Sequence, residues 1–405
     1  MDRQQRRGAT NALGLVTVVG GLAVIALGMS FWGQARSERA AREARASAAE
    51  AERLAIAGAS TSLASLQPED AGGKPERRVG VGGDRRFGVE NPPRPTPGRV
   101  RLATYNIENL FDAIDDPNLS DRNEDIDDTK PYSELEAAAA AIETVGADIL
   151  CLEEVESEAV VRWYRDSYLE NLGYTYLASL DAGDERGIEQ SVLSRYPIKA
   201  VKNWVHEPLG GVHPDQYEGR ENWYAGQPLV FHRSPLMVDL EIQTNANEPP
   251  YLLTLLVVHH KSGSGSGYWR EAEAKKVVEI IRQLEAEREG RNIAVLGDFN
   301  SQAWDEPLKI YRAAGMIDVL APFDPDKEDA PQSALPKTSV THSTGRRIDM
   351  ILVNKNFEHE IVKGSGFVYG TPVRSEGSDW RTTPAPVGYA SDHFPVALDI
   401  VPKDE

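Results

Sequence analysis

The sequence is poor in cysteine. The 405-residue chain has a single cysteine, Cys151, so an intrachain disulfide is excluded. Cys151 lies in a short apolar run, which predicts a small buried side chain. A protein without disulfides tolerates either an oxidising or a reducing compartment, so cysteine usage leaves the compartment open.

Basic residues are scarce in most of the chain. The sequence has 44 Lys and Arg against 63 Asp and Glu, a net charge of −19. Residues 1–99 hold 15 basic and 10 acidic residues, so the rest holds 29 against 53, a net charge of −24. The far field of the C-terminal part therefore repels polyanions. Salt screens charges beyond about 8–10 Å, so a local basic strip can still bind phosphates.

Long uncharged runs are also rare, and the clearest one lies near the N-terminus. The segment from Ala12 to Trp32 carries no charge and follows a short basic segment, residues 1–11. At about 1.5 Å per residue, a helix over this run spans about 30 Å, the thickness of a bilayer core. We therefore predict one N-terminal transmembrane helix over residues 12–32. The alternative is a cleaved signal peptide, whose apolar region is usually only about 7–15 residues long.

The charges next to this run predict an orientation. Arg3, Arg6 and Arg7 precede the run, and the positive-inside rule places such residues in the cytoplasm. We expect a membrane-anchored, single-pass protein whose C-terminal domain lies on the non-cytoplasmic side. The Ala-rich residues 34–57 alternate Arg with Glu and predict a solvated helix.

A change of composition divides the rest of the chain. Residues 58–98 are rich in Gly and Pro and predict a flexible linker. Residues 99–405 show apolar strand patterns intermixed with helical ones, which is typical of packed sheets covered by helices. Polar residues, including Asn106, Glu154 and Asp298, follow several of the strands. We expect them to meet along one rim of the sheets.

Seven short motifs follow one another in the C-terminal domain. They are Thr104-Tyr-Asn-Ile107, Leu152-Glu-Glu-Val155, Leu193-Ser-Arg-Tyr-Pro-Ile198, Val258-His-His-Lys-Ser262, Gly297-Asp-Phe-Asn-Ser301, Arg347-Ile-Asp-Met350 and Ser391-Asp-His-Phe-Pro395. This set, in this order, resembles the endonuclease/exonuclease/phosphatase superfamily. The resemblance implies a four-layer α/β sandwich, with two packed mixed β-sheets flanked by helices, over residues 99–405.

The resemblance also implies a metal site. It assigns Asn106 and Glu154 to a divalent cation, and Asp392 supplies a further oxygen ligand of the same kind. A hard cation neutralises phosphate charge and lowers the pKa of bound water, which are the two needs of phosphodiester hydrolysis. Oxygen ligands are typical of Mg²⁺, with Mn²⁺ or Ca²⁺ as alternatives.

The catalytic roles implied by the resemblance fall on five residues. Asp298 orients or deprotonates the attacking water, and Asn300 donates hydrogen bonds to the phosphate. Asp349 partners His393, fixing its tautomer and stabilising its charged form. His259 donates to a non-bridging phosphate oxygen.

Some positions depart from the family pattern or lie beside it. Glu153 stands where the family often has Gln, and His260 points away from His259 on the strand, so we interpret it as structural. Arg186 is the basic residue expected to reach a substrate phosphate. A strip that could line the substrate groove comprises Arg186, Arg195, Lys261, Arg346 and Arg347.

Together the motifs predict a divalent-metal-dependent phosphodiester hydrolase, with a sequence-tolerant nuclease favoured. The alternatives are a small-molecule or lipid phosphoesterase of the inositol phosphatase or sphingomyelinase type, and an inactive binding module of the same fold. The expected partners are a phosphoester substrate, with nucleic acid favoured, and the membrane through the N-terminal helix. The sequence identifies no protein partner.

Overall fold

The computed structural model describes residues 84–119, 123, 125–245, 247–322, 335–378 and 383–404. The predicted segments 1–11, 12–32 and 34–57 lie outside these residues, so the transmembrane helix and its orientation stay predictions. No helix within the described residues is long and apolar enough to cross a membrane.

The strands and helices of the described residues follow one another in mixed order. The strands are β1 Val100–Leu110, β2 Ile149–Val155, β3 Tyr176–Ser179, β4 Glu189–Ser194, β5 Ile198–Lys202, β6 Pro208–Val212, β7 Gln216–Tyr217, β8 Arg220–Glu221, β9 Pro228–Val230, β10 Leu236–Ile242, β11 Tyr251–His259, β12 Asn292–Asp298, β13 Ile317–Asp318, β14 Asp349–Val353, β15 Phe367–Val368 and β16 Val396–Ile400. The helices are α1 Tyr132–Val145, α2 Glu158–Tyr168, α3 Gly267–Glu287, α4 Glu306–Ala313 and α5 Lys355–Glu358.

Two six-stranded mixed sheets form the centre of the fold. The first sheet has the order β15-β16-β1-β2-β4-β3, and the second has the order β13-β14-β12-β11-β10-β5. One apolar cluster joins side chains of both sheets, while α1 and α2 cover the first sheet and α3 and α4 cover the second. The predicted four-layer sandwich is therefore confirmed for the described residues.

Strand periodicity explains how each sheet is buried on both faces. In β1, Leu102 joins the core between the sheets, and its neighbour Ala103 packs with the helices outside. In β12, Leu296 faces the core between the sheets, and Val295 faces α3. Successive side chains point to opposite faces, so a strand buried on both faces must be apolar throughout.

The residues just before β1 belong to the folded domain. The amide of Gly370 donates to the carbonyl oxygen of Val89 at 3.0 Å. Gly88 has a φ of +68°, and a Cβ there would lie 2.5 Å from the backbone nitrogen of Gly370. Only glycine allows this approach. Residues 84–98 are thus fixed to the domain. The linker predicted over residues 58–98 therefore does not include this segment.

The chain changes sheets where one strand was expected. The sequence from Ser191 to Ile198 is strand-like but broken by Pro197, and the structure divides it between the end of β4 and the start of β5. β4 pairs with β2 and β3 in the first sheet, whereas β5 pairs with β10 in the second. The pairing of β4 ends at Ser194, and Pro197, which cannot donate to a strand ladder, lies in the short connection just before β5.

A buried ion pair joins four segments of the domain. The Arg101 guanidinium lies 2.6 Å from Asp399 through Nε and Oδ1, and the Arg101 side chain is fully buried. Nη1 of Arg101 donates to the carbonyl oxygens of Pro93 and Val145, both at 2.9 Å. The amide of Thr96 donates to the Asp399 carboxylate at 3.0 Å. This network joins β1 and β16 to the end of α1 and to the segment before β1.

Arg101→Met is expected to lower the free energy of unfolding by about 3–5 kcal/mol, because it leaves the Asp399 carboxylate buried and without its partner. The measurement is urea unfolding of the full chain at neutral pH. The double variant Arg101→Met/Asp399→Leu removes both charges and should lose clearly less. A double variant as unstable as the single one would contradict this account.

Candidate active site

The register of the second sheet brings three predicted site residues side by side. β11 runs parallel to β12 and places His259 opposite Asp298. β14 runs antiparallel to β12 and places Asp349 opposite Asp298. In the first sheet, β1 and β2 run parallel, with Asn106 opposite Glu153. The polar residues at these strand ends therefore gather at one rim, as the sequence predicts.

Four residues at this rim have a left-handed backbone. The φ angles are +57° at Glu108, +53° at Asn109, +63° at Glu154 and +48° at Asn300. Such a conformation costs a non-glycine residue about 1–3 kcal/mol and is typical of functional sites. At Asn300 the amide donates to Oδ1 of Asp298 at 2.7 Å, which offsets part of this cost.

Asp298 lies at the centre of the site. Its Oδ2 atom is 3.3 Å from Nδ2 of Asn106 and 3.0 Å from Nδ2 of Asn300. The same atom is 3.5 Å from Nε2 of His259 and 3.9 Å from Nε2 of His393. Asp298 is buried, so these side chains enclose its carboxylate.

The two predicted histidines differ in charge. Nδ1 of His393 lies 2.9 and 3.0 Å from the two carboxylate oxygens of Asp349. Burial alone would lower the pKa of His393, but this carboxylate raises it well above the ordinary value. Burial and the charge of Arg233 lower the pKa of His259 well below the ordinary value. At neutral pH the site therefore holds one imidazolium and one neutral imidazole.

The predicted metal ligand Glu154 lies next to Asn106. Oε1 of Glu154 accepts from Nδ2 of Asn106 at 3.2 Å, and Oε2 accepts from the amide of Asn109 at 3.2 Å. Oδ1 of Asn106 accepts from the amide of Glu108 at 3.0 Å. Asn106 thus presents its amino group to the carboxylates, and its predicted role as an oxygen ligand requires the amide to turn.

Asp392, the third predicted ligand, stands at the other side of His393. Its Oδ1 atom is 3.8 Å from Nε2 of His393, and its Oδ2 atom is 3.2 Å from Nε2 of His342. Burial raises the pKa of Asp392, but the hydrogen bond from His342 and the charge of His393 outweigh it and lower the pKa. Asp392 is therefore a carboxylate at neutral pH.

The site holds more carboxylates than cations. Burial is the main cause that raises the pKa of Asp298 to about 7 and that of Glu108 to about 8, and neighbouring carboxylates add to it. Two groups of side chains are spaced to hold a metal ion. They are Asp298 with Asp349 and His393, and His342 with Asp392 and His393. Both groups contain the charged His393, whose single charge does not balance the carboxylates, and the crowded oxygen donors fit a hard divalent cation such as Mg²⁺.

Arg186 lies at the rim, as expected. Its Nη2 donates to Oδ1 of Asn109 at 2.5 Å, and its charge contributes to the low pKa of His259. Arg233 was not expected there. Its Nε lies 2.9 Å from Oδ2 of Asp184, and its charge acts on His259 more strongly than that of Arg186. No motif contains Arg233, so the sequence gives no signal for it.

The basic strip predicted from the sequence is wrong at two positions. Arg195 follows the end of β4 that is remote from the rim, and its Nη1 lies 2.6 Å from Oδ1 of Asp148. Arg347 is buried and bonds both carboxylate oxygens of Asp318, at 2.6 and 2.8 Å. Both guanidinium groups are occupied by structural ion pairs, so neither is free to bind a phosphate.

Two further motif residues, His260 and Glu153, have structural contacts. His260 is buried, and its ring nitrogens lie 2.9 Å from the hydroxyl of Tyr311 and 3.2 Å from Oε2 of Glu273, which agrees with the structural interpretation. Glu153 is fully buried and accepts from the hydroxyl of Thr104 at 2.6 Å. Burial raises the pKa of Glu153 well above the ordinary value, so its carboxyl group is neutral at neutral pH.

Glu108 is a site residue that the motifs do not mark as functional. Its Oε2 accepts from the amide of Asp392 at 3.0 Å and from the hydroxyl of Tyr389 at 2.7 Å. It follows Asn106 by two positions on β1, and this spacing is a signal that could have identified it. Glu108 therefore fixes the backbone at Asp392 from the neighbouring strand.

A two-sheet sandwich with paired histidines and clustered carboxylates at one rim defines a phosphoesterase-like site. The family model described as "Endonuclease/Exonuclease/phosphatase family" matches residues 103–393. The chain belongs to this family, whose members are metal-dependent phosphoesterases. A search of curated proteins gives no match.

The solved structures to which this chain is similar are distant in sequence. The catalytic domain of human Nocturnin is 14% identical, covering 76% of this chain and 95% of its own, with a TM-score of 0.44. Truncated TDP2 of Caenorhabditis elegans is 16% identical (75% and 97%, TM-score 0.45). Beta toxin of Staphylococcus aureus is 13% identical (74% and 99%, TM-score 0.46). The family assignment rests on the family model, because these TM-scores lie below 0.5.

Asp349→Asn is expected to lower the pKa of His393 towards the ordinary value of about 6.5, because it removes the carboxylate that stabilises the imidazolium. In the native protein the imidazolium persists through neutral pH and is lost only as the pH rises through the raised pKa. In the variant the loss shifts to lower pH. The measurement is an NMR titration of histidine ring signals, with His393→Gln identifying the signal. Unchanged titration curves would refute the assignment.

Proposed function

We propose that the protein is a divalent-metal-dependent phosphodiester hydrolase in which water attacks phosphorus. The observation that carries the proposal is the position of Asp298, whose carboxylate lies within 3.9 Å of both His259 and His393. A base next to one neutral and one charged imidazole suits a reaction that removes a proton on one side and supplies one on the other.

Each step follows from the protonation states of these groups. Asp298 accepts a proton from water as the new bond to phosphorus forms, and its pKa of about 7 is matched to this task. The bond to the leaving oxygen breaks, and the charged His393 gives that oxygen a proton. His259 and Asn300 donate to the non-bridging oxygens, where negative charge develops. The reaction leaves a phosphomonoester and an alcohol.

The residues at the first-sheet side of the rim would hold the divalent ion. Glu154 and Asp392 are carboxylates, and Asn106 can add its oxygen after its amide turns. When bound, the ion neutralises phosphate charge and lowers the pKa of nearby water. Mg²⁺ fits this donor set, and Mn²⁺ or Ca²⁺ are the alternatives.

A sequence-tolerant nuclease is the substrate class we propose. Arg186 and Lys261 supply positive charge on the His259 side, where phosphates next to the reacting one can bind without base recognition. The second candidate is a small or lipid phosphoester. It is favoured by the ion pairs that occupy Arg195 and Arg347, since these leave a shorter basic surface for a polyanion.

Glu154→Gln is expected to weaken metal binding and to reduce turnover by at least about 100-fold, because the carboxylate charge itself holds the ion. The control is Glu289→Gln, an exposed position just before β12, at the end of that strand opposite to Asp298. Rates are measured on a bis-phenyl phosphate ester with Mg²⁺, Mn²⁺, Ca²⁺ or excess chelator. Full activity in chelator would refute the metal-dependent mechanism.

Cleavage of plasmid and single-stranded DNA and of RNA is expected at low salt and should fall steeply as salt rises, because phosphate contacts release counterions. The comparison substrates are nucleotides, inositol phosphates and sphingomyelin, assayed over the same salt series. Robust turnover of a small or lipid ester with no nucleic-acid cleavage at low salt would favour the second candidate. No turnover of any phosphoester would favour an inactive binding module.

A further inference from the structure

A histidine outside the seven motifs contacts the candidate metal side of the site. His342 is buried, and its Nε2 lies 3.2 Å from Oδ2 of Asp392. Its ring meets the ring of His393 edge to face, with 4.5 Å between the centroids. The proposed reaction assigns His342 no task.

The residues on both sides of His342 form hydrogen bonds that hold its turn in place. The amide of Ser343 donates to the carbonyl oxygen of Asp392 at 2.7 Å. The amide of Asp349 donates to the hydroxyl of Thr341 at 3.0 Å. The backbone at His342 is therefore held relative to both Asp349 and Asp392 by contacts of its two neighbours, which do not depend on the His342 side chain.

The hydrogen bonds of His342 identify which ring nitrogen carries the proton. The backbone amide of Thr344 donates to Nδ1 at 3.1 Å, and the hydroxyl of the same residue lies 2.7 Å from Nδ1. A backbone amide can only donate, so Nδ1 holds a lone pair and the hydrogen of the neutral ring is on Nε2. The hydrogen on Nε2 is then available to Oδ2 of Asp392, which lies 3.2 Å from Nε2.

This tautomer decides between two roles for His342. The atoms of His342, Asp392 and His393 are spaced closely enough to hold a metal ion together. A histidine that binds a metal through Nε2 needs a lone pair there and usually donates from its other nitrogen. In His342 the arrangement is reversed, so a direct metal bond would require the contact with Thr344 to break.

We propose that His342 is a positioning residue that holds one oxygen of Asp392, so that the other oxygen stays directed into the site to bind the divalent cation. Oδ2 is occupied by His342, and Oδ1 faces Nε2 of His393 at 3.8 Å. This inference rests on the proposed function for the role of Asp392 as a ligand. His342 thus acts through Asp392, as Asp349 acts through His393.

The test compares three replacements in the full-length protein. His342→Gln can place an amide N–H where Nε2 stands, His342→Asn places its amide nearer to Nδ1, and His342→Leu has no donor. Binding of Mn²⁺ is measured by electron paramagnetic resonance, which needs no turnover. Steady-state rates on a bis-phenyl phosphate ester give kcat and KM, and urea unfolding checks that each variant folds.

The expected result is a split between the donor and the non-donor variants. His342→Leu and His342→Asn should bind Mn²⁺ about tenfold or more weakly, as is typical when a partner of a ligand is lost. Their kcat at subsaturating metal should fall, while KM for the ester stays unchanged. His342→Gln should keep most of the native affinity. If the Leu variant does not fold, the comparison of Gln with Asn carries the test.

Two results would overturn the proposal. In the first, His342→Gln binds Mn²⁺ as weakly as His342→Leu, and the native protein shows a nitrogen hyperfine coupling to Mn²⁺ that the variants lose. This result would make His342 a direct ligand. In the second, all three variants bind Mn²⁺ with the native affinity, which would show that His342 does not position Asp392. Failure of the proposed function is separate, since it appears as native protein that binds Mn²⁺ but hydrolyses no phosphoester.

Discussion

The burial of Asp298 among other carboxylates is the constraint on which the site depends. An ionised carboxylate taken out of water needs hydrogen bonds or opposite charge to remain stable. Asn106 and Asn300 donate to it, and the charge of His393 lowers its pKa against the effect of burial. The remaining imbalance keeps the pKa of Asp298 near 7, which is where a base for neutral solution has to be.

The strand pattern predicts packed sheets and most of the rim for one physical reason, and the family resemblance adds the four-layer arrangement. Strands buried on both faces must be apolar, so a polar residue at a strand end, such as Asp298 or His259, is conspicuous. The resemblance then supplied roles for these positions, and the register of β11, β12 and β14 brings them together. All eight predicted metal and catalytic residues lie at the rim.

What the sequence did not reveal depends on pairing between distant segments. Arg195 and Arg347 adjoin motifs, but their side chains turn to Asp148 and Asp318, and nothing local in the sequence marks those partners. His342 lies in a turn, where no apolar period sets the direction of a side chain. Residues 84–98 look like a linker because most of their bonds to the domain are made to segments more than 200 positions away.

The chain crosses from the first sheet to the second between β4 and β5, and each sheet contributes a different part of the site. The candidate metal ligands stand on the first sheet, and His259, Asp298 and Asp349 stand on the second. His393 precedes β16 of the first sheet, yet it bonds Asp349 of the second. The apolar layer between the sheets therefore acts as a spacer that sets the distance from cation to base. Any sliding of one sheet over the other would separate the two halves of the chemistry while each sheet remained intact.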